Sequence, residues 1–354
     1  MNAPVRLETS VHFTTLRDSA ERSAIEGFVR ECEASLFHLP QWLTAVEAGT
    51  GQRASGFVAS RGGTIAGWLP IIEVRSRLFG RALVSSGFGV GGGICAVDEG
   101  VAAALAQAAQ SHAVRDNFAS IECRGGPVPE GWEAVADKHC GFAKELAEDD
   151  EAQLLASPRK ARAEIRKALK DESLSVRTGR EADDLAAHYA VYSESVRNLG
   201  TPVFPRRLFA EMLRAFPEAS DILTVERHGK PIASVFSFYH RGAVMPFWGG
   251  GTLAARGARA NELMYYRLML HARRRGMTRF DFGRSKIKSG PYRFKKNWGF
   301  EPQPLTYAHW HAPGETPRDV DPTSPAYARR IALWKRLPLF IANRIGPPIA
   351  RGLA

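Results

Sequence analysis

The chain has 354 residues, 44% of them hydrophobic and 24% charged. This length allows about two domains with a real core, and the composition excludes a disordered chain. No window approaches the roughly 18 uninterrupted apolar residues of a membrane span, and the N-terminal stretch carries Arg6, Glu8, Arg17 and Asp18 without the apolar block of a secretory signal. Cys32, Cys95, Cys123 and Cys140 are widely spaced, with no CxxC and no His at ligand spacing. That pattern argues against a disulfide scaffold and a structural zinc site and fits a reducing cytoplasm. The net charge of +11 is uneven: residues 1–150 hold 13 Lys+Arg and 19 Asp+Glu, and the remainder holds 35 and 18. A strongly basic second half is either a solubility charge or the footprint of a polyanion.

In chain order, Val58–Ala66 reads as a β-hairpin with Gly62 at the turn, followed by the apolar strand Trp68–Ile72. A triple glycine follows at Gly91–Gly93, then a predicted helix over about 99–114 and a short strand centred on Glu122. The order then recurs. A hairpin turns at Gly229, an apolar strand spans Val235–Tyr239, a triple glycine lies at Gly249–Gly251, a helix is predicted over about 260–275, and a strand centres on Asp281. A shared order of features is the mark of duplication. Each copy is therefore expected to be a mixed β-sheet with a crossover helix between central strands, an α/β (α+β) arrangement. In the second helix Leu263, Tyr266 and Leu270 share one face, Asn261 is the expected N-cap, Arg273–Arg275 complement the C-terminal dipole, and Gly276 is the expected stop.

Several motifs fail on context. Gly87–Gly92 matches GxGxxG, but no helix opens at its third glycine, so close backbone packing or a bulge is expected there. Asp281–Gly283 reads DFG without a kinase catalytic loop. No HExxH is present, and His309 and His311 have no neighbouring carboxylate in sequence, so they are read as exposed strand residues and no metal is expected. Two basic clusters remain. Arg159, Arg162, Arg166 and Lys170, spaced +3, +4, +4 on a helix capped by Ser157, put four cations on one face. This is either a solvated face or a phosphate-binding surface. From Phe282 to Phe300, Arg284, Lys286, Lys288, Arg293, Lys295 and Lys296 interleave with aromatics and glycines just past a central strand. The segment reads as a loop at a strand end, where α/β folds place their sites.

The runs Arg166–Ala168, Trp248–Gly250, Asp281–Ser285 and Tyr292–Phe300, together with Ser35–Trp42, resemble the Fem-type peptidyltransferases. More narrowly they resemble the FemAB-related proteins associated with exosortase/PEP-CTERM systems. The resemblance spans nearly the whole chain and implies tandem GNAT-like acyl-CoA N-acyltransferase domains. It places one domain over 1–155, a second over 156–312, and a tail over 313–354. It implies an aminoacyltransferase or N-acyltransferase without a cofactor. Such an enzyme moves an aminoacyl group from aminoacyl-tRNA, with acyl-CoA as the alternative donor, to an amine of a peptidoglycan-type or exopolysaccharide cell-envelope precursor. By the same resemblance Lys295 offsets charge on the reacting carbonyl, with Asp281 and Tyr292 beside it as catalytic candidates. Arg284, Ser285, Lys286, Phe294, Trp298 and Trp248 are the candidate substrate contacts, and Arg159, Arg162, Arg166 and Lys170 would take the tRNA. Asp281 either handles the amine or is the buried partner of an arginine. A non-catalytic scaffold for a polyanion or glycan carrier is the alternative, as is RNA binding for its own sake.

The tail from Pro322 has no acid after Asp321. It mixes Arg329, Arg330, Lys335, Arg336, Arg344 and Arg351 with Ile331, Leu333, Trp334, Leu337, Leu339, Phe340, Ile341 and Ile345, and Pro338, Pro347 and Pro348 are expected to break it. Such a segment either packs back on its domain or lies peripherally on an anionic membrane.

Overall fold

The computed structural model describes residues 8–315 and 325–353. The predicted start of the tail at Pro322 lies outside the described residues. The chain forms two compact units, one of Met1–Ala136, Thr306–Asp321 and Arg351–Ala354, the other of Asp137–Leu305 and Pro322–Ala350.

The first unit opens with β1 (Thr9–Thr14), α1 (Ser19–Glu31) and α2 (Pro40–Thr50). Then follow β2 (Arg53–Arg61), β3 (Thr64–Ser76), β4 (Gly80–Ser85), β5 (Cys95–Ala96), α3 (Glu99–Arg115) and β6 (Ser120–Arg124). Strands β1 to β4 pair antiparallel in sequence order, and β6 pairs parallel to β4. The parallel pair needs a crossover, which α3 supplies. Asp98 caps α3 by accepting the Val101 N–H, and Val101, Leu105 and Ala109 bury against Phe57, Leu69 and Ile71. The β2–β3 turn uses Gly62 and Gly63, both at positive φ (60° and 82°), as a two-residue hairpin of that twist requires.

The GxGxxG segment is close backbone packing, since a Cβ on Gly89 would sit 2.8 Å from the Ser86 carbonyl oxygen, and the glycine just after the segment is tighter still. A Cβ on Gly93 would sit 1.8 Å from the Gly125 carbonyl oxygen, and the Gly93 N–H donates to the Arg124 carbonyl at 3.0 Å. Arg124 also donates to the Gly89 carbonyl at 2.8 Å. The carboxyl ends of β4 and β6 are thus stitched together by the segment that follows β4.

The second unit contains β7 (Glu133–Glu145, from Asp137), α4 (Asp150–Leu155), α5 (Arg159–Leu169), β8 (Leu174–Gly179), α6 (Ala182–Leu199) and α7 (Arg206–Ala215). It continues with β9 (Ser220–Arg227), β10 (Lys230–His240), β11 (Ala243–Gly251), α8 (Leu253–Ala258), α9 (Ala260–Arg274), β12 (Arg279–Asp281), β13 (Ser285–Lys286) and α10 (Gly290–Asn297). After α10 comes β14 (Pro302–His311), which from Thr306 belongs to the first unit and pairs antiparallel with β6. The last elements, α11 (Pro325–Trp334) and α12 (Leu339–Ala350), return to the second unit. Its sheet runs β7-β12-β11-β10-β9-β8, with β11 and β12 parallel and the other neighbours antiparallel.

The order β9-β10-β11-α9-β12 repeats β2-β3-β4-α3-β6, with β5 inserted before α3 in the first copy and α8 before α9 in the second. The two triple glycines are not equivalent, because Gly91–Gly93 lie in the loop after β4 while Gly249–Gly251 end β11. Helix α9 is capped by Arg259 at φ 57°, not by Asn261, because α8 ends on the same residue. Ser157 does not cap α5: its hydroxyl donates back to the Gln153 carbonyl at 3.4 Å, and Pro158 takes the cap position. Pro347 and Pro348 do not break the tail. They lie inside α12, since the proline ring tolerates helical φ at the cost of a ladder bond. His309 and His311 are partly buried, and β14–β6 pairing sets His309 opposite Glu122, a carboxylate that sequence distance concealed.

Candidate active site

The site candidates gather where β11 and β12 part. The two strands share register only at Ala243–Arg279 and Val244–Phe280. Beyond that, β11 continues along β10 to Gly251, with Phe247 as an extra residue where the register shifts. The chain from β12 follows β7 instead: Asp281 faces Ala143, the Phe282 N–H donates to the Phe142 carbonyl, Ser285 faces Cys140 and Lys286 faces His139. A crevice outside the carboxyl ends of parallel strands is where α/β sheets place ligands.

The register along β7 slips by one residue between Phe282 and Ser285, so Gly283 and Arg284 together face Gly141. This is a β-bulge, and its Gly283 takes φ 65°, the left-handed conformation that such bulges need. Lys295, from α10, holds the bulge from behind. Its ammonium donates to the carbonyls of Phe282 (2.6 Å), Gly283 (3.1 Å) and Arg284 (3.0 Å) and lies over the rings of Phe142 and Phe282. Burial lowers the Lys295 pKa to about 8, against the opposing pull of Asp281 and Cys140. Asp281 sits at the mouth of the bulge, where Oδ1 accepts the Gly283 N–H at 2.8 Å. Burial raises its pKa, opposed by that hydrogen bond and by Arg279 and Lys295. The Ser285 hydroxyl is buried without a hydrogen-bond partner.

The segment from Phe282 to Phe300 is therefore not a loop but a bulged strand followed by a helix. Ser289 caps α10 through the Tyr292 N–H at 3.3 Å, Pro291 stands in its first turn, and Gly299 follows it at φ 78°. These are ordinary start and stop signals, and the density of basic residues hid them. Tyr292 packs edge-on to Phe142 at 5.6 Å, and Phe294 and Trp298 pack around Phe282. The bulge thus rests on a built aromatic core.

One residue that sequence reasoning missed joins the two walls. Tyr265 of α9 lies 4.8 Å from the Phe282 ring, centroid to centroid, and its hydroxyl would lie 3.4 Å from a Cβ at Gly249 of β11. Burial pushes its pKa up to about 12. Asn261, one turn earlier, stands against Gly251, with its Oδ1 buried and unpartnered. The signal was present: the triple glycine on β11 lets these α9 side chains approach the strand.

The structure brings Asp281, Arg284, Ser285, Lys286, Tyr292, Phe294, Lys295 and Trp298 into one region. It places Trp248 elsewhere, in an aromatic cluster with Phe209 of α7 and Phe236 and Phe238 of β10. Arg159, Arg162 and Arg166 lie on α5 and Lys170 ends it; all but the half-buried Arg162 are exposed. Ala161, Ile165 and Ala168 form the buried face. A groove of about 380 Å³ begins at the C-terminal end of α5, lined by Leu169, Asp171, Val176, Arg267, His271 and Arg274 among others. It lies away from the bulge. Among the described residues no group of three or more His, Cys, Asp or Glu converges as a metal site.

The acetyltransferase (GNAT) domain family matches residues 157–296. Among solved structures, FemX aligns with a TM-score of 0.64 at 14% identity, covering 85% of this chain and 97% of its own. The fold is GNAT-like. A tandem GNAT protein from the clavulanic acid biosynthesis pathway aligns at 0.58 and 12% identity, covering 87% of this chain and 100% of its own. The C-terminal domain of a putative lysylphosphatidylglycerol synthetase from Agrobacterium fabrum aligns at 0.54 and 15%, covering 83% and 93%. At these identities the likeness is one of fold. No curated protein matches the chain.

Proposed function

We propose that this protein is a Fem-type N-acyltransferase (an EC 2.3 enzyme). It moves an aminoacyl group from aminoacyl-tRNA to an amine on a cell-envelope or exopolysaccharide precursor, at the cytoplasmic face of the cell. The observation that carries this reading is the parting of β11 from β12 with Asp281 at its edge and the bulge beyond it. In such a reaction the neutral amine forms a C–N bond to the ester carbonyl, whose electron pair moves onto oxygen. The intermediate then expels the ribose oxygen, which takes up a proton as the amine loses one. Asp281, with its pKa raised by burial, is suited to receive that proton. Lys295 acts through position, since its three hydrogen bonds run to the bulge carbonyls. Its charge still favours a developing oxyanion nearby. The cationic side of α5 suits the phosphates of an acceptor stem.

Acyl-CoA is the second donor, favoured by the GNAT domain match over 157–296. The deciding experiment supplies labelled aminoacyl-tRNA and labelled acetyl-CoA in parallel, with amine-bearing muropeptide and aminosugar precursors as acceptors. Transfer from charged tRNA that falls about 10²–10³-fold in Asp281→Asn supports the reading. Transfer from acetyl-CoA alone moves the donor to CoA. Binding without turnover of either donor supports a scaffold instead, and equal affinity for arbitrary RNA supports simple RNA binding.

A further inference from the structure

The C-terminal helices present large apolar side chains on their outer face beside their cations. In α12 the buried line is Ala342, Gly346 and Ala350, four residues apart, and it packs closely: Asn343 donates to Ser193 of α6 at 3.3 Å, and a Cβ on Gly346 would meet the Val203 nitrogen at 3.2 Å. Ile331 and Trp334 of α11 also pack inward, against Gly200 and Gly346, but three large residues point away. Phe340 is 74% exposed and Ile345 41%, and Leu333 in α11 is 67% exposed. A soluble surface helix presents charged or polar residues on its outer face, and Phe340 is the one exposed phenylalanine among the described residues. These side chains are held in place, not left dangling, because Arg197 of α6 donates to the carbonyls of Lys335 (3.4 Å) and Leu337 (3.3 Å) where α11 gives way to α12.

The charged residues of α11 and α12 themselves share one sign. Arg329, Arg330, Lys335, Arg336 and Arg344 are exposed, and no acid follows Asp321 in the sequence. Protruding apolar side chains interleaved with cations and free of carboxylates match the interfacial zone of an anionic bilayer, where the former enter the acyl boundary and the latter meet headgroup phosphates. No helix among the described residues is long and apolar enough to cross a membrane.

We propose that α11 and α12 form a peripheral docking surface for an anionic lipid membrane, with Leu333, Phe340 and Ile345 as the inserting residues and the five cations as the charge match. A surface of this kind sets the enzyme beside membrane-bound acceptors, yet it stands independently of the transferase reading.

The test is flotation of the full chain with vesicles of phosphatidylcholine alone and with vesicles that also contain phosphatidylglycerol. Neither donor nor acceptor is present, so the outcome does not depend on catalysis. The protein is expected to float with the anionic vesicles and not with the neutral ones, and to be released as salt rises. The pair Leu333→Ser with Phe340→Ser, both at exposed positions, should lower partitioning about tenfold or more. The triple Lys335→Gln, Arg336→Gln, Arg344→Gln should lower it by about fivefold for each charge removed. Absence of binding, equal binding to both vesicles, or serine and glutamine variants that bind as well as the parent would overturn the proposal. So would a concentration-dependent dimer that the serine pair dissolves while vesicles are ignored, which would assign the surface to a second copy of this chain.

Discussion

The Lys295 ammonium stands 2.6 Å from the Phe282 carbonyl oxygen and takes two further carbonyls from the next two residues. An ammonium has three N–H donors, and all three are spent on one bulge. Lys295→Met removes every one of them. Buried carbonyls left without a donor cost about 1–3 kcal/mol each. Because water reaches part of the bulge, a net loss of about 3 kcal/mol is the expected outcome, read from urea unfolding. Transfer activity should fall with it. An unchanged midpoint with abolished activity would instead assign Lys295 a direct contact with the reacting group.

The same lysine gives stability and activity opposite responses to pH. Its pKa is held down to about 8 by burial, against an ordinary 10.5. Between those values the unfolded chain keeps a proton that the folded chain has shed, so this group makes stability rise with pH across about 8 to 10.5. A neutral amine, however, has two N–H groups for three carbonyls, so the bulge loosens and activity should decline above about pH 8. Urea midpoints of the parent and Lys295→Met at both ends of the window check the first effect. Curves that stay parallel remove Lys295 as the source.

Two glycines separate conformational cost from steric cost. Gly283 has φ 65° and nothing within 4 Å of an added Cβ, so Gly283→Ala meets only left-handed strain, about 1–2 kcal/mol. Gly93 has ordinary φ but its Cβ would fall 1.8 Å from a backbone oxygen that cannot rotate aside. Gly93→Ala is expected to be the far more damaging change, lowering the soluble yield or thermal midpoint of the protein where Gly283→Ala leaves it folded. Equal midpoints would show that the segment after β4 packs more loosely than described.

The repeat was legible because strands, crossover helices and hairpin turns each impose a local pattern. Gly62 and Gly229 mark their turns by the backbone they allow, and α3 and α9 fall within a residue of their predicted ends. Long-range pairings leave no such trace. Nothing near His309 in sequence announces Glu122, and nothing near Ser285 announces Cys140; both depend on strands that return after a long excursion. Local competition hid the rest. Asn261 makes a good cap on paper, but α8 brings Arg259 to that position first. Trp248 shares a motif with Gly249 and Gly250, yet alternation along β11 turns its ring toward α7. Lys295 was visible as a lysine in an aromatic context, whereas its three carbonyl partners exist only once the bulge has formed.

His188 predicts an acid sensitivity unrelated to the bulge. The ring is fully buried, stacks on Tyr192 and bonds the Ser234 hydroxyl at 3.1 Å. Burial alone lowers its pKa from 6.5 to about 3. The unfolded chain therefore binds a proton that the native ring refuses, and stability contributed by the neutral ring is present above about pH 6.5 and is lost as pH falls toward 3. The slope approaches about 1.4 kcal/mol per pH unit for one proton. His188→Gln keeps a neutral polar side chain and should flatten the dependence of unfolding free energy between pH 6 and about 4. An unaltered slope would place the acid sensitivity in other groups.

The cationic face of α5 makes a prediction that separates a phosphate track from a solvated helix. Arg159, Arg166 and Lys170 are exposed on the side opposite Ala161, Ile165 and Ala168, so neutralising them leaves the buried face untouched. Arg159→Gln, Arg166→Gln and Lys170→Gln should each leave the unfolding free energy within about 0.5 kcal/mol of the parent. If these residues meet phosphates, tRNA binding should weaken and the slope of log affinity against log salt should fall by about one for each contact removed. A solvated face predicts neither change. A drop in affinity with no change in slope points elsewhere, because contacts that release no counterions are not contacts with a nucleic-acid backbone.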